Sequence, residues 1–523
     1  MTTIEPSAIA ALYPRQPLSD MLAETARRLP DKAAFIDTTG NAFSYARVWN
    51  AARGLARLLQ LRHGVQKGET VAIFSPNCPE FAVALHGALV VGAKVTPLNP
   101  LYREREVEHQ LDDAEAVVVF AHGSLLPLVE SVRGNLPGVR AVYAIEEVWN
   151  LAEAEPGEPA PVAIDPLEDL AFLPYSSGTT GLPKGVMLTH YNLTSNIRQS
   201  IATGLAREDS VLLAFLPFFH IYGATLLLNA PLAVGATCVV MPRFDAEQTL
   251  ALIEQRGVTD LFVAPPALLA LVHHPAAATR RHETLRFILS GAAPLPAEVS
   301  NLAGQRFGCP VIQGYGMTEA SPVTNAQRPD SIVAGSVGAA VENTEEQVVD
   351  RETFQPIPRG EVGELLIRGP QIMRGYWKNP AATAETLLPG GWLRSGDIAR
   401  MDESGEVFIL DRAKEMIKYK GYQIAPAELE ALIMEHPAVL DAAVTPKPAG
   451  ADGEAPKAFV VLKPDQQASA DDLLAFVAER VAPYKKVREI EFVAAIPKNP
   501  SGKILRRVLI EQERARAGQG VSP

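Results

Sequence analysis

Long uninterrupted apolar runs are missing from this chain. The most apolar stretch, Phe81 to Val95, is interrupted by His86 and reaches Lys94, so it is too short for the roughly 20 residues that cross a bilayer. The amino terminus, MTTIEPSAIAALYPRQ, lacks a basic stretch followed by a long apolar core, and no secretory signal is expected. Cysteine is scarce. The three present, Cys78, Cys238 and Cys309, are scattered without metal-ligand spacing, which fits a reducing compartment and predicts a cytoplasmic protein. Positive charge is also short: 48 Lys and Arg stand against 60 Asp and Glu, for a net charge of −12. That balance argues against a nucleic-acid partner. Any anionic ligand must therefore be met by positive charge concentrated locally. No internal repeat is evident.

What remains is a globular composition, 47% apolar and 21% charged, over 523 residues. That length exceeds one hydrophobic core and predicts at least two domains. Apolar residues recur at helical spacing from Leu18 to Leu29, and Pro30 ends the segment. GETVAIFSPN then reads as a buried strand, PEFAVALHGALVVG as a helix, AKVTPLNP as a strand, REREVEHQLDDAEA as an exposed helix and AVVVF as a strand. This alternation predicts a mostly parallel sheet with helices on its faces. VLLAFLPFFHIYG and GATCVVM read as strands around an aromatic loop. VTDLFVAPPALLALV, LRFILSGAAPLP and CPVIQGYGMTEASP each read as a strand leading into a turn, where open α/β sheets place ligands. From Gly335 to Leu410 short strands with Gly and Pro turns predict a small β unit. Beyond it, an α+β module is expected, with helix PAELEALIMEH, strands near Val439, Phe459 and Ile490, and a last helix from Lys503. The expected division is residues 1–410 and residues 411–523.

The densest chemistry lies in Tyr175 to Val186, YSSGTTGLPKGV. Its glycines free backbone N–H groups to meet an anion. Ser176, Ser177, Thr179 and Thr180 add hydroxyl donors, and Lys184 adds a point charge suited to phosphate. A polyphosphate is the natural ligand. The P-loop of nucleotide triphosphatases requires Ser or Thr after its lysine, and Gly185 stands there instead.

In order along the chain, YSSGTTGLPKGV, FFHIYG, SGAAPL, QGYGMTE, GWLRSGDIA, DRAKEMIKYKGYQIAPAELE and PKNPSGKILRR together resemble the adenylate-forming superfamily across nearly its whole length. Within it the chain is most similar to the acid–CoA ligases grouped with 4-coumarate–CoA ligases, fatty acyl–CoA synthetases and firefly luciferases. The resemblance implies a large N-terminal α/β domain and a small mobile C-terminal cap. It also implies a reaction in two halves. A carboxylate displaces pyrophosphate from MgATP to give acyl-AMP, and the thiol of CoA then displaces AMP.

The same resemblance implies roles for residues. Ser176, Ser177, Gly178, Thr179, Thr180, Gly181 and Lys184 would hold the β- and γ-phosphates. Tyr315 would stack on adenine beside Ala292, Gly314 and Gly316, Thr318 would bond the α-phosphate, and Glu319 with Thr180 would hold Mg²⁺. Asp397 would accept both ribose hydroxyls, with Arg412 reaching ribose or phosphate. Lys503 would bridge the acyl carboxylate and the α-phosphate, whereas Arg506 and Arg507 read as solvated helix charges. Asp411 sits at the hinge position. In a second orientation Lys418, Lys420, Gly421 and Gln423 would face the CoA tunnel, with Arg243 near the CoA phosphates and His220 at the gate. Tyr222, Gly291, Gly316, Pro322 and Val323 would line an acyl pocket.

No Arg or Lys is among those pocket residues, so an apolar monocarboxylic acid is expected, either a fatty acid or an arylpropenoic acid such as 4-coumarate. Three rivals stand beside a CoA ligase. An enzyme loading a carrier protein would call for a carrier domain or partner, a luciferase-like monooxygenase would emit light, and an AMP-sensing pseudoenzyme would have lost Lys503 or Glu319. Either a monomer or a homodimer is compatible with the sequence.

Overall fold

A computed structural model describes residues 12–155, 157–176, 183–412, 415–419, 422–449, 454–499 and 502–519. Two eight-stranded sheets carry the large N-terminal part, where the alternating pattern had predicted one. In the first, strands Thr70–Phe74, Lys94–Pro97, Ala116–Ala121, Ala141–Ala144 and Leu170–Phe172 run parallel, and antiparallel Lys184–Thr189 closes one side. In the second, Ala33–Asp37, Thr237–Val240, Val211–Ala214, Asp260–Val263, Phe287–Ser290 and Val311–Gly316 are parallel neighbours. Antiparallel Ala42–Ser44 and Val323–Ala326 flank them. Most central strands are buried along their length, as Val- and Leu-rich parallel strands covered on both faces must be.

Helices end where local chemistry stops them. Tyr45–His63 begins at Ser44, whose hydroxyl accepts from the Arg47 N–H, and ends at Gly64 in the left-handed region. Helix Pro79–Val90 starts with proline at its first position, where no N–H is needed. Sequence periodicity missed two helical segments. Pro265–His273 follows its strand directly, and the apolar run after His220 forms a π-helical turn, Gly223–Asn229, before helix Ala230–Val234. Both are apolar on nearly every side, so no alternating pattern marked them.

A third sheet of Glu345–Val349, Val362–Arg368, Trp392–Met401 and Leu387–Leu388, joined by Val407–Arg412, makes the small β unit. The chain after it builds its own core. Ile417, Ile424, Leu429, Ile433, Val444 and Val460 pack together around an antiparallel and parallel trio, Val439–Pro448, Glu454–Leu462 and Glu489–Phe492. The last helix runs Arg506–Gln519, so Lys503 lies ahead of it in the preceding turn. Among the described residues no helix is long and apolar enough to cross a membrane.

Two histidines are sealed inside the N-terminal core, His86 in helix Pro79–Val90 and His190 at the start of helix His190–Ala202. His190 Nδ1 accepts the Leu18 N–H at 3.0 Å, which requires the neutral ring. Burial pushes both imidazoles down to about 4. The unfolded chain protonates them near their ordinary value of about 6.5, so it binds more protons than the folded chain between those two values. The contribution of these two histidines to stability should therefore be full above about pH 6.5 and be lost as pH drops toward 4, by on the order of 1 kcal/mol per pH unit per histidine. Urea midpoints at pH 7.5, 6 and 5 check this, and His190→Asn should flatten the slope.

Candidate active site

The parallel strands of the second sheet all end on one edge, so the loops after Ala214, Val263, Ser290 and Gly316 gather there. Those loops carry His220 and Tyr222, Ala264 to Pro266, Gly291 and Ala292, and Met317 to Glu319. Ala292 takes a φ of 71°, a conformation non-glycine residues adopt at a cost. At Gly316 a Cβ would stand 2.1 Å from Pro322 O, so only glycine lets the strand pass its neighbour. The space beside Gly291 belongs to the Tyr222 ring, 3.3 Å from where a Cβ would sit. Tyr222, Pro322 and Val323 are buried at the same edge. Tyr222 thus packs beside Gly291, and Gly316 against Pro322 and Val323.

At the other side of the cleft, Tyr175–Ser176 and Lys184–Thr189 form a hairpin base with Ser176 opposite Lys184. The Tyr175 hydroxyl donates to Asp113 Oδ2 at 2.5 Å, anchoring that base. Ser177, Gly178, Thr179, Thr180 and Gly181, the expected phosphate cradle, lie outside the described residues. Glu319 reaches the base: its Oε1 accepts from the Ser176 hydroxyl at 3.2 Å and from the Tyr376 hydroxyl at 2.9 Å. The Lys184 ammonium lies 5.1 Å from the centre of the Tyr376 ring. Thr318 opens the short 3₁₀ turn that carries Glu319.

Asp397 and Arg412 are direct cross-strand partners in the small β unit, and Arg412 Nε lies 2.7 Å from Asp397 Oδ1. The Tyr315 hydroxyl donates to the other oxygen of Asp397, joining the second sheet to the β unit. Burial raises the Asp397 carboxyl while Arg412 and Tyr315 pull it down, leaving it above the usual range.

Lys503 enters from the C-terminal module on a tight turn. Gly502 has a φ of 84°, and a Cβ on it would meet Pro266 Cδ at 3.0 Å and Ala264 Cβ at 3.1 Å, so the turn docks against the carboxyl edge of the second sheet. The Asn499 side chain accepts the Lys503 N–H at 2.8 Å. Burial and the nearby Arg412 lower the lysine's pKa, against the pull of Glu415 and Asp397. Among the described residues no carboxylate pairs with its ammonium. His220 is its neighbour on the sheet side. Burial and then the Lys503 charge push the imidazole down to about 4, and its Nδ1 accepts the Tyr222 N–H at 3.2 Å. The ring is therefore neutral at physiological pH and carries its proton on Nε2.

Among the described residues expected around a CoA tunnel, two are exposed. Arg243 is exposed beyond strand Thr237–Val240. Lys418, across the Ile417–Tyr419 and Tyr422–Ile424 hairpin from Gln423, is exposed, and its N–H donates to Glu454 within the C-terminal module. Lys420 and Gly421 lie outside the described residues.

One expectation fails. Arg506 is no solvated helix charge. It pairs with both oxygens of the buried Glu430 at 2.7 Å, with Glu415, and donates to Val444 O at 3.2 Å. Only Arg507 is exposed, with an Glu511 partner one turn on. Nothing in the LRR run separates the two arginines. The available signal was Glu430, an acidic residue inside the apolar helix PAELEALIMEH. Asp411, also buried, caps the same helix by accepting the Ala427 N–H at 2.8 Å. Arg506→Gln would strand Glu430 in the interior and should cost about 3 kcal/mol, whereas Arg507→Gln should change stability by less than about 0.5 kcal/mol. Urea unfolding of the two variants side by side measures the contrast.

Comparison with known proteins accords with this geometry. The family model described as AMP-binding enzyme matches residues 22–377, and that of the AMP-binding enzyme C-terminal domain matches residues 428–503. The chain is 40% identical to 4-coumarate–CoA ligase 5 of Oryza sativa subsp. japonica, over 97% of this chain and 95% of that one. It is 39% identical to a 4-coumarate–CoA ligase of Pinus taeda, over 94% of each. Among solved structures, the anthranilate CoA ligase AuaEII in complex with anthranoyl-AMP superimposes with a TM-score of 0.90 at 30% identity, covering 98% of this chain and 99% of that one. A benzoate CoA ligase from Burkholderia xenovorans LB400 gives 0.86 at 30% identity, covering 94% and 99%. A sheet edge lined by turns, a docked lysine turn and these matches along nearly the full length lead to one conclusion: the chain belongs to the AMP-binding enzyme family.

Proposed function

We infer that this chain is an AMP-forming acid–CoA ligase, using ATP, Mg²⁺ and CoA to convert a carboxylic acid into its thioester. The observation that carries the assignment of roles is the partly buried ammonium of Lys503, without a carboxylate partner among the described residues, beside neutral His220 and the Asp397–Arg412 pair. In the first half-reaction the acid's carboxylate oxygen attacks the α-phosphorus of ATP and pyrophosphate leaves. Two anions must approach each other, and a cation without a carboxylate of its own is what that approach requires. Lys503 would lie between the acyl carboxylate and the α-phosphate, Arg412 beside ribose or phosphate, and Asp397 against the ribose hydroxyls. Tyr315 would face adenine, and Lys184 with the Ser176 hairpin would hold the outer phosphates. In the second half-reaction the CoA thiol attacks the acyl carbon and AMP leaves.

The nucleotide's cation has a fitting protein ligand. Glu319 is a buried carboxylate whose hydrogen bonds among the described residues all fall on Oε1, and a hard cation prefers the oxygen left over. Bound there with phosphate oxygens, Mg²⁺ would supply charge neutralisation. Thr180 is the further ligand proposed from the sequence.

The acid is an apolar aryl monocarboxylic acid, with an arylpropenoate such as 4-coumarate first. The Tyr222 ring beside Gly291, with no Arg or Lys among the proposed lining residues, supports this, as do relatives named for 4-coumarate and solved neighbours named for anthranilate and benzoate. Pyrophosphate release across aryl and fatty acids, with and without CoA, tests it. A preference for long-chain fatty acids would reject the aryl reading. Residues 1–410 act as the adenylation domain and 411–523 as a cap, a division supported by the separate core of the C-terminal module. A cytoplasmic location suits three unpaired cysteines.

Lys503→Ala should slow acyl-AMP formation by roughly 10²–10³-fold, while thioester formation from supplied acyl-AMP is largely spared. Pyrophosphate release and thioester absorbance read the halves separately, and equal loss in both would reject the assignment. Asp411 is proposed as the hinge about which the Lys418–Gln423 hairpin replaces Lys503. Asp411→Pro restricts φ there, so adenylation should continue while acyl-AMP accumulates. Wild-type rates in both halves would leave no hinge at this residue.

A further inference from the structure

Tyr376 lies where Ser176, Lys184 and Glu319 meet, yet the resemblance to the family assigned it nothing. Strand Gly375–Tyr376 runs along the edge of Lys184–Thr189, with Tyr376 opposite Val186. The Tyr376 N–H donates to the Thr383 hydroxyl at 2.9 Å, and the next N–H, of Trp377, donates to Gly185 O at 2.8 Å. The backbone is thus held from both sides. Its hydroxyl donates to Glu319 Oε1 at 2.9 Å, between side chains of residues only 9% and 8% exposed. The face of the same ring lies 5.1 Å from the Lys184 ammonium. One phenol therefore serves two groups, one from a strand and one from a 3₁₀ turn, 135 residues apart in sequence.

We propose that Tyr376 is a positioning residue that aims the Glu319 carboxylate at the nucleotide's divalent cation and steadies Lys184 for the phosphates. This rests on the reading of Glu319 as the metal ligand. The Ser176 and Tyr376 hydroxyls converge on Oε1, which fixes the twist of the carboxylate about its last bond. Oε2 receives no hydrogen bond from any described residue, so the cation meets an oxygen already turned toward it. A partner of this kind orients a ligand without touching the metal. The ring face attracts the ammonium through its quadrupole and narrows the rotamers of a flexible side chain. Phenylalanine would retain the second effect and lose the first. Leucine would lose both.

The test is calorimetric binding of α,β-methylene-ATP, with no turnover, during a Mg²⁺ titration and again in chelator. Tyr376→Phe should raise the Mg²⁺ concentration for half-maximal tightening by about 10-fold, the scale for losing a ligand's supporting hydrogen bond. Its metal-free affinity for the analogue should stay within about twofold. Tyr376→Leu should show the same metal shift and also lose about 2–5-fold of metal-free affinity as the ring under Lys184 disappears. Tyr376→Met replaces it if the leucine variant does not fold. Glu319→Gln is run in parallel and should shift the Mg²⁺ requirement at least as far. A Tyr376→Phe protein with the wild-type Mg²⁺ requirement, beside a shifted Glu319→Gln, overturns the inference and leaves the metal reading standing. If Glu319→Gln is unshifted, both fall.

Discussion

A carboxylate held out of water, as that of Asp397 is, is stable only beside a cation that the backbone keeps in place. The antiparallel pair Trp392–Met401 and Val407–Arg412 meets that condition by setting Asp397 directly across from Arg412. Much of the site depends on that register. Tyr315 hangs on the same carboxylate and so ties the parallel sheet to the small β unit. Arg412 is also the residue at which the chain leaves for the C-terminal module, and its charge is felt by Lys503 on that module's far end. A single-residue slip between those two strands would turn Asp397 away from Arg412 and Tyr315 together.

The site's cations divide by how their charge is matched. Arg506, three residues beyond Lys503, is saturated by Glu430 and Glu415, and holds the module's helices together. Lys503 has no such partner among the described residues, and its lowered pKa records the cost. In a protein of net charge −12, a partly buried ammonium with no carboxylate partner among the described residues is a local exception suited to an anionic ligand. Neutral His220 completes the contrast. Beside Lys503 a second cation would be repelled, so the imidazole stays uncharged and offers a hydrogen-bond donor instead.

The phosphate side is organised by a different device. Ser176, Lys184, Tyr376 and Glu319 come from a hairpin base, an edge strand and a 3₁₀ turn, and they are drawn together by short side-chain contacts. Tyr376 and Glu319 are buried, while Ser176 and Lys184 remain partly exposed. Such a setting strengthens charge interactions with a polyphosphate.

Much of this chemistry was legible along the chain because it is local. Glycine and hydroxyl density marked the segment around the Ser176–Lys184 hairpin base, turn residues after apolar runs marked the sheet's carboxyl edge, and the glycine before Lys503 marked its tight turn. These features depend on a few consecutive residues, whose conformational freedom and donors are intrinsic to them. Tertiary structure alone decided the partners. The division of the parallel strands between two sheets, the pairing of Asp397 with Arg412, the burial of Arg506 against Glu430, and Tyr376 between Glu319 and Lys184 all join residues brought close by strand register or module docking. A tyrosine or an arginine looks the same in sequence whether it faces water or a carboxylate, because its environment is built by chain segments far from it.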